Sequence, residues 1–464
     1  MVSDSLGNPV HLENPASLAA VNDFVDGFIS CEARVTNVLG ISATENSPIV
    51  QAYCAALHMF AESAAGPANA RPFIDTALGN AKVASPREQN FVASVAAWVD
   101  GDIPRAIQLH EQQISEFPRD LASLKLGQYH LFNQGNAPGM LRLALASLPQ
   151  AGDVAYLHGM LAFGWEQCHL LEQAEQAARK AIAMCSKEPW AQHALAHVML
   201  TQGRLEEGLR FMRHSSPSWT GLNSFMLTHN WWHLALFALD LEQHDEVLRL
   251  YDQQVWGVVK EYSQDQVGAV SLLARLELAG VDVGGRWQDV ADYLRARTHD
   301  HVLPFLDLQY LYGLARAGRA EADVLMRSIE VYCAGTTSAT TSASASGVTA
   351  PAAPRNAGGK GASNVWRQVC LPASRGLLAH ARGDYTRTVD ELGTALPRML
   401  EIGGSHAQRD LFEQIHLDAL MRSGHLSAAQ NLLQQRLRGQ PESVRLRRQA
   451  RQVYAKLGLD GIAF

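Results

Sequence analysis

Glycine returns at a fixed interval in the first half of the chain, and this period constrains the fold more than any other feature. Gly101, Gly135 and Gly203 lie on a 34-residue grid, and His169 occupies the position between the last two. Small or slender side chains follow five residues later in each period, at Ala106, Met140, Ala174 and Gly208. Glycine relieves a sharp chain reversal because it adopts backbone conformations that other residues avoid. The interval therefore indicates one structural unit that is repeated along the chain.

A repeat of this length is typical of tetratricopeptide units, in which two antiparallel helices, called A and B, meet at the glycine turn. Pro118 follows Ala106 by twelve residues, and Pro441 follows Ala429 by the same interval. A proline at that point would end helix B because it has no amide hydrogen to donate. No alternating strand pattern of useful length interrupts the sequence. We therefore predict an all-α fold, a tetratricopeptide-like superhelix of helical hairpins (an α-α solenoid) that could curl closed on itself.

Four segments are predicted along the chain. Residues 1–47 form an N-terminal extension with a helix over residues 21–39, and residues 48–334 form the helical repeat array. Residues 335–363 are small and polar, so they cannot bury enough apolar surface to offset the entropy cost of ordering them. We predict a disordered low-complexity insertion there. Residues 364–464 continue the array with C-terminal helical repeats.

Charge and cysteine content limit the partners of such an array. The net charge is −7 at pH 7, and the basic surface that nucleic acid requires is missing. The six cysteines show neither a disulfide framework nor zinc-finger spacing, which favours a reducing compartment. No secretory signal opens the sequence, and no apolar run is long enough to cross a membrane. We expect a cytoplasmic protein that binds neither nucleic acid nor a membrane.

Two His-x-x-x-His pairs stand in consecutive repeats. They are His193 with His197 and His229 with His233. Residues four apart lie on the same face of a helix, so each pair would project two imidazoles side by side. Both pairs precede their turns and therefore belong to A helices, which line the inner face of a tetratricopeptide array. Neighbouring helix axes lie about 8–10 Å apart, so the four rings could converge on one ion or ligand.

Three interpretations of the histidines remain open. The first is a hydrogen-bonded inner wall packed by Trp190, Trp231 and Trp232. The second is a metal site, because neutral imidazole is the commonest metal ligand, and Zn or Fe could bind three histidines with a carboxylate or water. Glu166, on the preceding A helix, is the candidate carboxylate. The third is a metal-free site for a small molecule or for acid–base chemistry, with Trp232 as a further ligand contact.

The segment Gly403-Gly-Ser-His-Ala-Gln-Arg-Asp410 is the second candidate site. Ser405, Gln408, Arg409 and Asp410 offer hydrogen-bond donors and charges at a predicted helix start. A helix N-terminus with an arginine can hold a carboxylate or phosphate. The structural alternative is a capped turn in which Arg409 and Asp410 belong to an internal network.

These motifs together resemble the tetratricopeptide repeat protein 38 family, from about residue 17 to the C-terminus. That family also has two His-x-x-x-His pairs and a Gly-Gly-Ser-x-Ala-Gln-Arg-Asp segment. The resemblance implies the repeat fold and a site at His193, His197, His229, His233, Gly403, Gly404, Ser405, Gln408, Arg409 and Asp410. The insertion is longer here, and His158 and His406 do not match family positions. The resemblance names no reaction.

Two functions follow as hypotheses. The protein binds a small ligand or a peptide in a concave, His-lined groove, or it is a metal-dependent enzyme that uses the two His-x-x-x-His pairs. A peptide-binding groove would be an open channel. A small-molecule site would instead need the 403–410 segment to return and close on the 193–233 region. The sequence leaves the reaction unassigned, and a homodimer is a possible assembly.

Overall fold

The computed structural model describes residues 2–338 and 364–459, and this part of the chain is built almost entirely from α-helices. The predicted all-α helical-repeat fold is confirmed. In the described residues the strands are β1 (Val2–Ser3) and β2 (Pro9–Val10), an antiparallel pair in which Val2 faces Val10. The helices that follow position the candidate site.

The α-helices are α1 (Leu18–Ser30), α2 (Pro48–Met59), α3 (Gly66–Gly79), α4 (Pro86–Val99), α5 (Ile103–Glu116), α6 (Leu121–Asn133), α7 (Ala137–Ala151), α8 (Ala155–Gln167), α9 (Leu171–Met184), α10 (Pro189–Thr201), α11 (Leu205–Ser215), α12 (Ser224–Asp240), α13 (His244–Leu250), α14 (Ser263–Leu278), α15 (Arg286–Leu294), α16 (Pro304–Arg316), α17 (Glu321–Ser338), α18 (Leu371–Ala381), α19 (Tyr385–Ala395), α20 (His406–Arg422), α21 (Leu426–Gly439) and α22 (Val444–Lys456). Short 3-10 helices span Pro15–Ser17, Ala33–Ile41, Ala81–Val83, Ser216–Ser218, Arg295–Arg297 and Leu396–Ile402, and π-helical turns span Tyr251–Val255 and Trp366–Cys370. Successive helices from α2 to α21 pair into hairpins, and α22 packs on the last of them.

The 34-residue grid corresponds to the end of each A helix. Gly101, Gly135, His169 and Gly203 all have the left-handed backbone conformation, with φ between 57° and 79°. This conformation ends a helix by turning the chain back on its last carbonyl groups. In the next repeat the left-handed residue is Glu242, with φ 57°, which follows Gly203 by 39 residues and so falls off the 34-residue grid.

Burial separates the two helices of each hairpin. In α10 every residue from Pro189 to Leu200 except Trp190 is buried, because neighbouring helices cover it on several sides. In its partner α11 the buried residues form one stripe, which includes Leu205, Leu209 and Met212. A helix that is apolar on all sides belongs to a protein interior, and an amphipathic helix belongs to its surface. The A helices therefore form an inner layer and the B helices an outer layer.

The N-terminal extension is folded against the array. The helix predicted over residues 21–39 is present as far as Ser30 but is not continuous, because α1 ends where Cys31 adopts a left-handed φ of 59° and a 3-10 helix follows. This break lets the chain pair with the segment before α12. The backbone nitrogen of Ala33 donates to Gly221, and the nitrogen of Asn223 donates to the carbonyl of Cys31. The extension thus covers one end of α12.

The array closes on itself. The side chain of Gln440, after α21, donates to the carbonyl of Leu200 in α10 at 2.7 Å. Arg445 of α22 donates to Asp240 of α12 at 2.8 Å, and Arg275 of α14 donates to the carbonyl of Ala407 in α20 at 2.7 Å. The last repeats therefore contact the middle ones across the inner layer.

Two further sequence predictions concern the insertion at residues 335–363 and membrane-spanning segments. Helix α17 extends to Ser338 and so includes the first residues of the predicted insertion, whereas residues 339–363 lie outside the described part. None of the described helices combines the length and the apolar character needed to cross a bilayer.

Candidate functional site

Helices α10 and α12 bring the two histidine pairs together. Nε2 of His193 lies 3.1 Å from Nε2 of His197 and 3.1 Å from Nε2 of His229. The ring centroid of His233 lies 4.8 Å from that of His193 and 4.4 Å from that of His197. One nitrogen from each of the four rings lies within 4.8 Å of the others. We call these four side chains the histidine cluster.

Aromatic rings surround the histidine cluster. Trp190 stacks on His193 with ring centroids 4.8 Å apart, and Phe225 stacks on His229 at 5.3 Å. Trp232 also stacks on His229, at 5.2 Å. These three rings belong to α10 and α12 themselves, and Phe163 of α8 adds a fourth, with its ring centroid 5.3 Å from that of His193. The shell keeps bulk water away from the imidazoles.

Several ring nitrogens in the cluster have no ordinary partner. Among the described residues, neither nitrogen of His233 has a hydrogen-bond partner, and Nδ1 of His193 has none. Leaving a buried polar atom unpaired costs about 1–3 kcal/mol. Burial lowers the pKa of His193 and of His233 well below the usual range, and repulsion from His197 adds to the effect. Burial also lowers the pKa of His229 to about 3. These three rings are therefore neutral at pH 7, with lone pairs available to a cation.

Glu166 of α8 lies behind the histidine cluster. Its Oε1 is 3.3 Å from Nδ1 of His197 and 2.5 Å from Nε2 of His406. Burial acts to raise the pKa of Glu166, but the adjacent imidazoles of His406 and His197 outweigh burial and hold that pKa well below its usual range. Glu166, expected as a direct metal ligand, thus meets His197 on the nitrogen that faces away from the other histidines. The Nε2 atom of the same ring points into the cluster.

A cavity of about 370 Å³ adjoins the histidine cluster, and we call it the central cavity. His193 and His229 line one part of it, and Ser405 and Gln408 at the start of α20 line another. The side chain of Ser405 accepts from the backbone nitrogen of Gln408, and the side chain of Gln408 accepts from the backbone nitrogen of Ser405. The apolar wall includes Phe28, Leu57, Phe60, Phe132, Phe163, Trp190 and Phe225. A cavity of this size, apolar with a few converging polar groups, is typical of small-molecule sites.

Lysine and cysteine side chains meet at the wall of the central cavity. Lys125 of α6 donates to the carbonyl groups of Phe28 and Ile29 at 2.7 and 3.1 Å, and its Nζ lies 2.9 Å from Sγ of Cys31. The ammonium group also lies over Trp190, 5.4 Å from a ring centroid. Burial raises the pKa of Cys31, so its thiol stays protonated beside the ammonium group. The cavity therefore has one fixed cation in its wall.

The predicted site residues divide between two cavities. Arg409 and Asp410 line a second, charged cavity of about 590 Å³, which also includes Arg275 and Arg436. Arg409 donates to the carbonyl groups of Gly403 and Gly404, and Asp410 pairs with Arg436 at 2.6 Å. The structure thus places Ser405 and Gln408 beside the histidine cluster and places Arg409 and Asp410 in an internal network. His197, His233 and Trp232 are buried between the two cavities and line neither.

Sequence reasoning missed several residues of this region. His406 lies within the Gly403–Asp410 segment, but its departure from the family pattern hid its contact with Glu166. Glu62 and Lys125 come from early repeats and Cys31 comes from the N-terminal extension, all far from the histidine pairs in the chain. No local motif marks them, and only the closure of the array brings them to the cavity. The left-handed conformation of Cys31 leaves no recognisable sequence signal.

The helices and their pairing into hairpins define the class of this protein, an all-α helical-repeat protein. No family model matches this chain. A chain of the Naa15/Naa10 structure bound to HypK-THB is similar over 95% of this chain, with 12% identity and a TM-score of 0.25. This protein spans 66% of that chain's length. The TPR domain of P58(IPK) is similar over 73% of this chain and 89% of its own length, with 11% identity and a TM-score of 0.22.

Proposed function

We propose that this protein binds a small, largely apolar molecule in the central cavity, with the polar atoms of the ligand turned toward His193 and His229. The observation that carries the proposal is that residues from distant repeats line one cavity. His193 in α10, His229 in α12 and Gln408 in α20 all belong to its wall. Only a closed array can bring these helices to the same ligand.

Closure favours a small molecule over an extended peptide. A peptide that adds along a groove needs a continuous open surface. Here the Gln440–Leu200 and Arg275–Ala407 hydrogen bonds cross the inner layer. Glu62, after α2, also accepts hydrogen bonds from Ser263 and Gln264 at the start of α14. These contacts leave room for a compact ligand enclosed between the repeats.

The lining defines the ligand class. Phenyl and indole rings dominate the wall, so most of the ligand surface is apolar or aromatic. Lys125 supplies a positive charge. Ser405 Oγ and Gln408 Oε1 accept from each other's backbone nitrogens, so the Ser405 hydroxyl and the Gln408 Nε2 group can still donate to a ligand. We therefore expect a ligand with an apolar body and one electron-rich polar group, such as a carbonyl, carboxylate or heterocyclic nitrogen.

A thermal-shift screen of the full chain against small amphipathic metabolites tests the proposal. A true ligand at 100 times its Kd stabilises the fold by about 2.7 kcal/mol. Leu57→Trp places a larger side chain in the cavity wall and should abolish the shift. Leu78→Trp makes the same change on the exposed face of the neighbouring helix and should retain it. A ligand shift of equal size in both variants would contradict a site in the central cavity.

A metal-dependent enzyme is the second candidate. The observation that favours it is that His193 and His229 belong both to the histidine cluster and to the cavity wall. An ion held by these rings would lie next to the bound ligand and could polarise its polar group. Chemical change of a stabilising ligand during incubation with the full chain would support the enzyme, and unchanged ligand would favour a binding protein.

Three further predictions from the sequence stay proposals. Membership of the tetratricopeptide repeat protein 38 family would give the chain its repeats and its histidine pairs. A homodimer is testable by sedimentation of the purified chain at several concentrations. A cytoplasmic location is testable by fractionating cells that produce the protein.

A further inference from the structure

We propose that His193, His197, His229 and His233 bind one divalent first-row transition-metal ion. This centre is independent of the identity of the cavity ligand, and it would exist without that ligand.

The spacing of the imidazoles fits a single ion. Zinc–nitrogen bonds of about 2.0–2.1 Å in a tetrahedral site place the nitrogens about 3.3 Å apart. The Nε2 atom of His193 is 3.1 Å from Nε2 of both His197 and His229. His233 completes the set, with its ring centroid 4.8 Å from that of His229. One nitrogen from each ring lies within 4.8 Å of the others, so the widest pair would have to close by at most about 1.5 Å to reach the tetrahedral spacing.

Hydrogen bonds within the protein do not account for the cluster. A neutral imidazole has one N–H and one lone pair. Nε2 of His193 faces two other Nε2 atoms, so at most one of the two contacts can use a hydrogen of His193. Both nitrogens of His233 are buried without a partner among the described residues. A metal ion turns all these facing lone pairs into ligand bonds.

Glu166 lies next to the histidine cluster, on the side of His197 that faces away from the other three rings. Metal-bound histidines usually donate their second N–H to a carboxylate, which fixes the ring orientation and strengthens the metal bond. Oε1 of Glu166 lies 3.3 Å from Nδ1 of His197 without the geometry of a hydrogen bond, and Nε2 of that ring faces the cluster. Metal binding would therefore need the carboxylate to turn slightly toward Nδ1. Gln167 donates to the other oxygen of Glu166 at 2.6 Å and holds the carboxylate in place. The negative charge of Glu166 also offsets part of the charge of a divalent cation.

The ligand set indicates which metals bind. Four imidazoles suit Zn, Fe, Cu and Ni, whereas Mg and Ca prefer oxygen ligands. His193 and His229 also line the central cavity, so one side of the ion would face the bound molecule. A fifth position directed at the cavity would require an ion that accepts more than four ligands, such as Fe²⁺.

Metal analysis of the full chain is the first test. Inductively coupled plasma mass spectrometry of untagged protein should find about one transition-metal ion per chain. After chelation, titration with Co²⁺ alone should produce the visible absorption of a nitrogen-bound Co²⁺ ion. His193→Gln and His233→Gln should weaken Co²⁺ binding by at least about 100-fold. His214→Gln, at an exposed histidine, should leave binding unchanged. Far-UV circular dichroism reports whether each variant is folded.

The second test separates this centre from a neighbouring set of donors. Glu166, His197 and His406 also lie close enough to share an ion. His406→Gln should retain one metal ion per chain, because its ring lies outside the cluster. Glu166→Gln should weaken Co²⁺ binding by about 10- to 100-fold, which is typical of outer carboxylates. Loss of the metal in His406→Gln would overturn the proposal in favour of the neighbouring set.

The metal proposal can be tested even if a variant of the histidine cluster does not fold. Folded wild-type protein that contains no transition metal and takes up no Co²⁺ would overturn the proposal by itself. Leu57→Trp should lose the cavity ligand and keep its metal ion. A failure of the ligand proposal is therefore distinguishable from a failure of the metal proposal.

Discussion

At the scale of single residues, His197 lies between the other histidines of the cluster and Glu166. Its Nε2 faces His193, and its Nδ1 faces Glu166. The residue spacing in the sequence was enough to suggest that His193, His197, His229 and His233 share one inner surface. The distance to Glu166 depends on the packing of α8 against α10, which no spacing rule supplies.

Gly404 is a residue whose conformation supports the site. Its φ is 76°, and a Cβ added there would lie 2.8 Å from the ring of Phe305. Gly404→Ala should lower the free energy of unfolding by about 1–3 kcal/mol, because it adds backbone strain and a clash next to Ser405. Urea unfolding measures the change. Gly268→Ala, at a helical position with open space, should instead be neutral or stabilise by up to about 1 kcal/mol. Equal effects at both positions would contradict this role of Gly404.

Asn230 is a second residue whose burial is costly. It lies between His229 and Trp231 in α12, and both polar atoms of its amide are buried without partners among the described residues. Asn230→Leu removes this cost while it keeps a similar side-chain volume, so the free energy of unfolding should rise by about 1–2 kcal/mol. Chemical denaturation tests this, and a loss of stability would mean that the amide has a partner in the folded protein. The exposed Asn69 offers a control, since Asn69→Leu should change stability by less than about 0.5 kcal/mol.

At the scale of helices, Glu188 shows how the start of α10 is fixed. Its side chain accepts a hydrogen bond from the backbone nitrogen of Ala191, so it caps the helix that presents His193 and His197. Burial raises the pKa of Glu188 to about 8, while the bond from Ala191 and the charge of Lys125 act in the opposite direction. The cap therefore holds a proton at neutral pH.

The pKa of Glu188 predicts how stability changes with pH. The folded chain binds the proton more tightly than the unfolded chain, whose glutamate has a pKa of about 4.3. The contribution of Glu188 to stability is thus complete below about pH 4.3 and is lost as the pH rises toward about 8. Glu188→Gln should remove this dependence. The free energy of unfolding of the variant, relative to that of the wild type, should therefore increase by about 3 kcal/mol from pH 5 to pH 7.5.

Thermal or urea unfolding at several pH values measures this difference. The exposed Glu206→Gln, in the first turn of α11, is the control and should show no comparable change with pH. A constant difference between wild type and Glu188→Gln across this range would contradict the raised pKa.

At the scale of the whole molecule, the repeat array and the site differ in how far the sequence predicts them. The period of Gly101, Gly135 and Gly203 reflects local backbone geometry, so it predicts the hairpins of that region directly. The positions of Arg409 and Asp410 depend on how far the last repeats curl toward α10 and α14. That curl is the sum of small rotations between neighbouring hairpins, and the sequence period does not determine the size of these rotations. The single helix predicted over residues 21–39 fails for a similar reason, because the break at Cys31 serves a contact with a distant segment.

Closure of the array should depend on the buried ion pair between Arg445 and Asp240. Their side chains are 7% and 13% exposed, so removing one partner leaves a buried charge. Arg445→Met should lower the free energy of unfolding by about 3 kcal/mol, and adding Asp240→Leu should restore part of the loss. The exposed pair Arg382–Asp323 is the control, since Asp323→Ala should cost less than about 1 kcal/mol. Equal losses of unfolding free energy in Arg445→Met and Asp323→Ala would contradict a role of the Arg445–Asp240 pair in closing the array.

Native mass spectrometry of the purified full chain tests the small-molecule site most directly. The folded chain should carry a small organic molecule, seen as excess mass that denaturation releases. Leu57→Trp should lose this mass and Leu78→Trp should retain it. If no organic molecule is retained or taken up from a metabolite extract, or if Leu57→Trp binds it as the wild type does, the central cavity is not a ligand site.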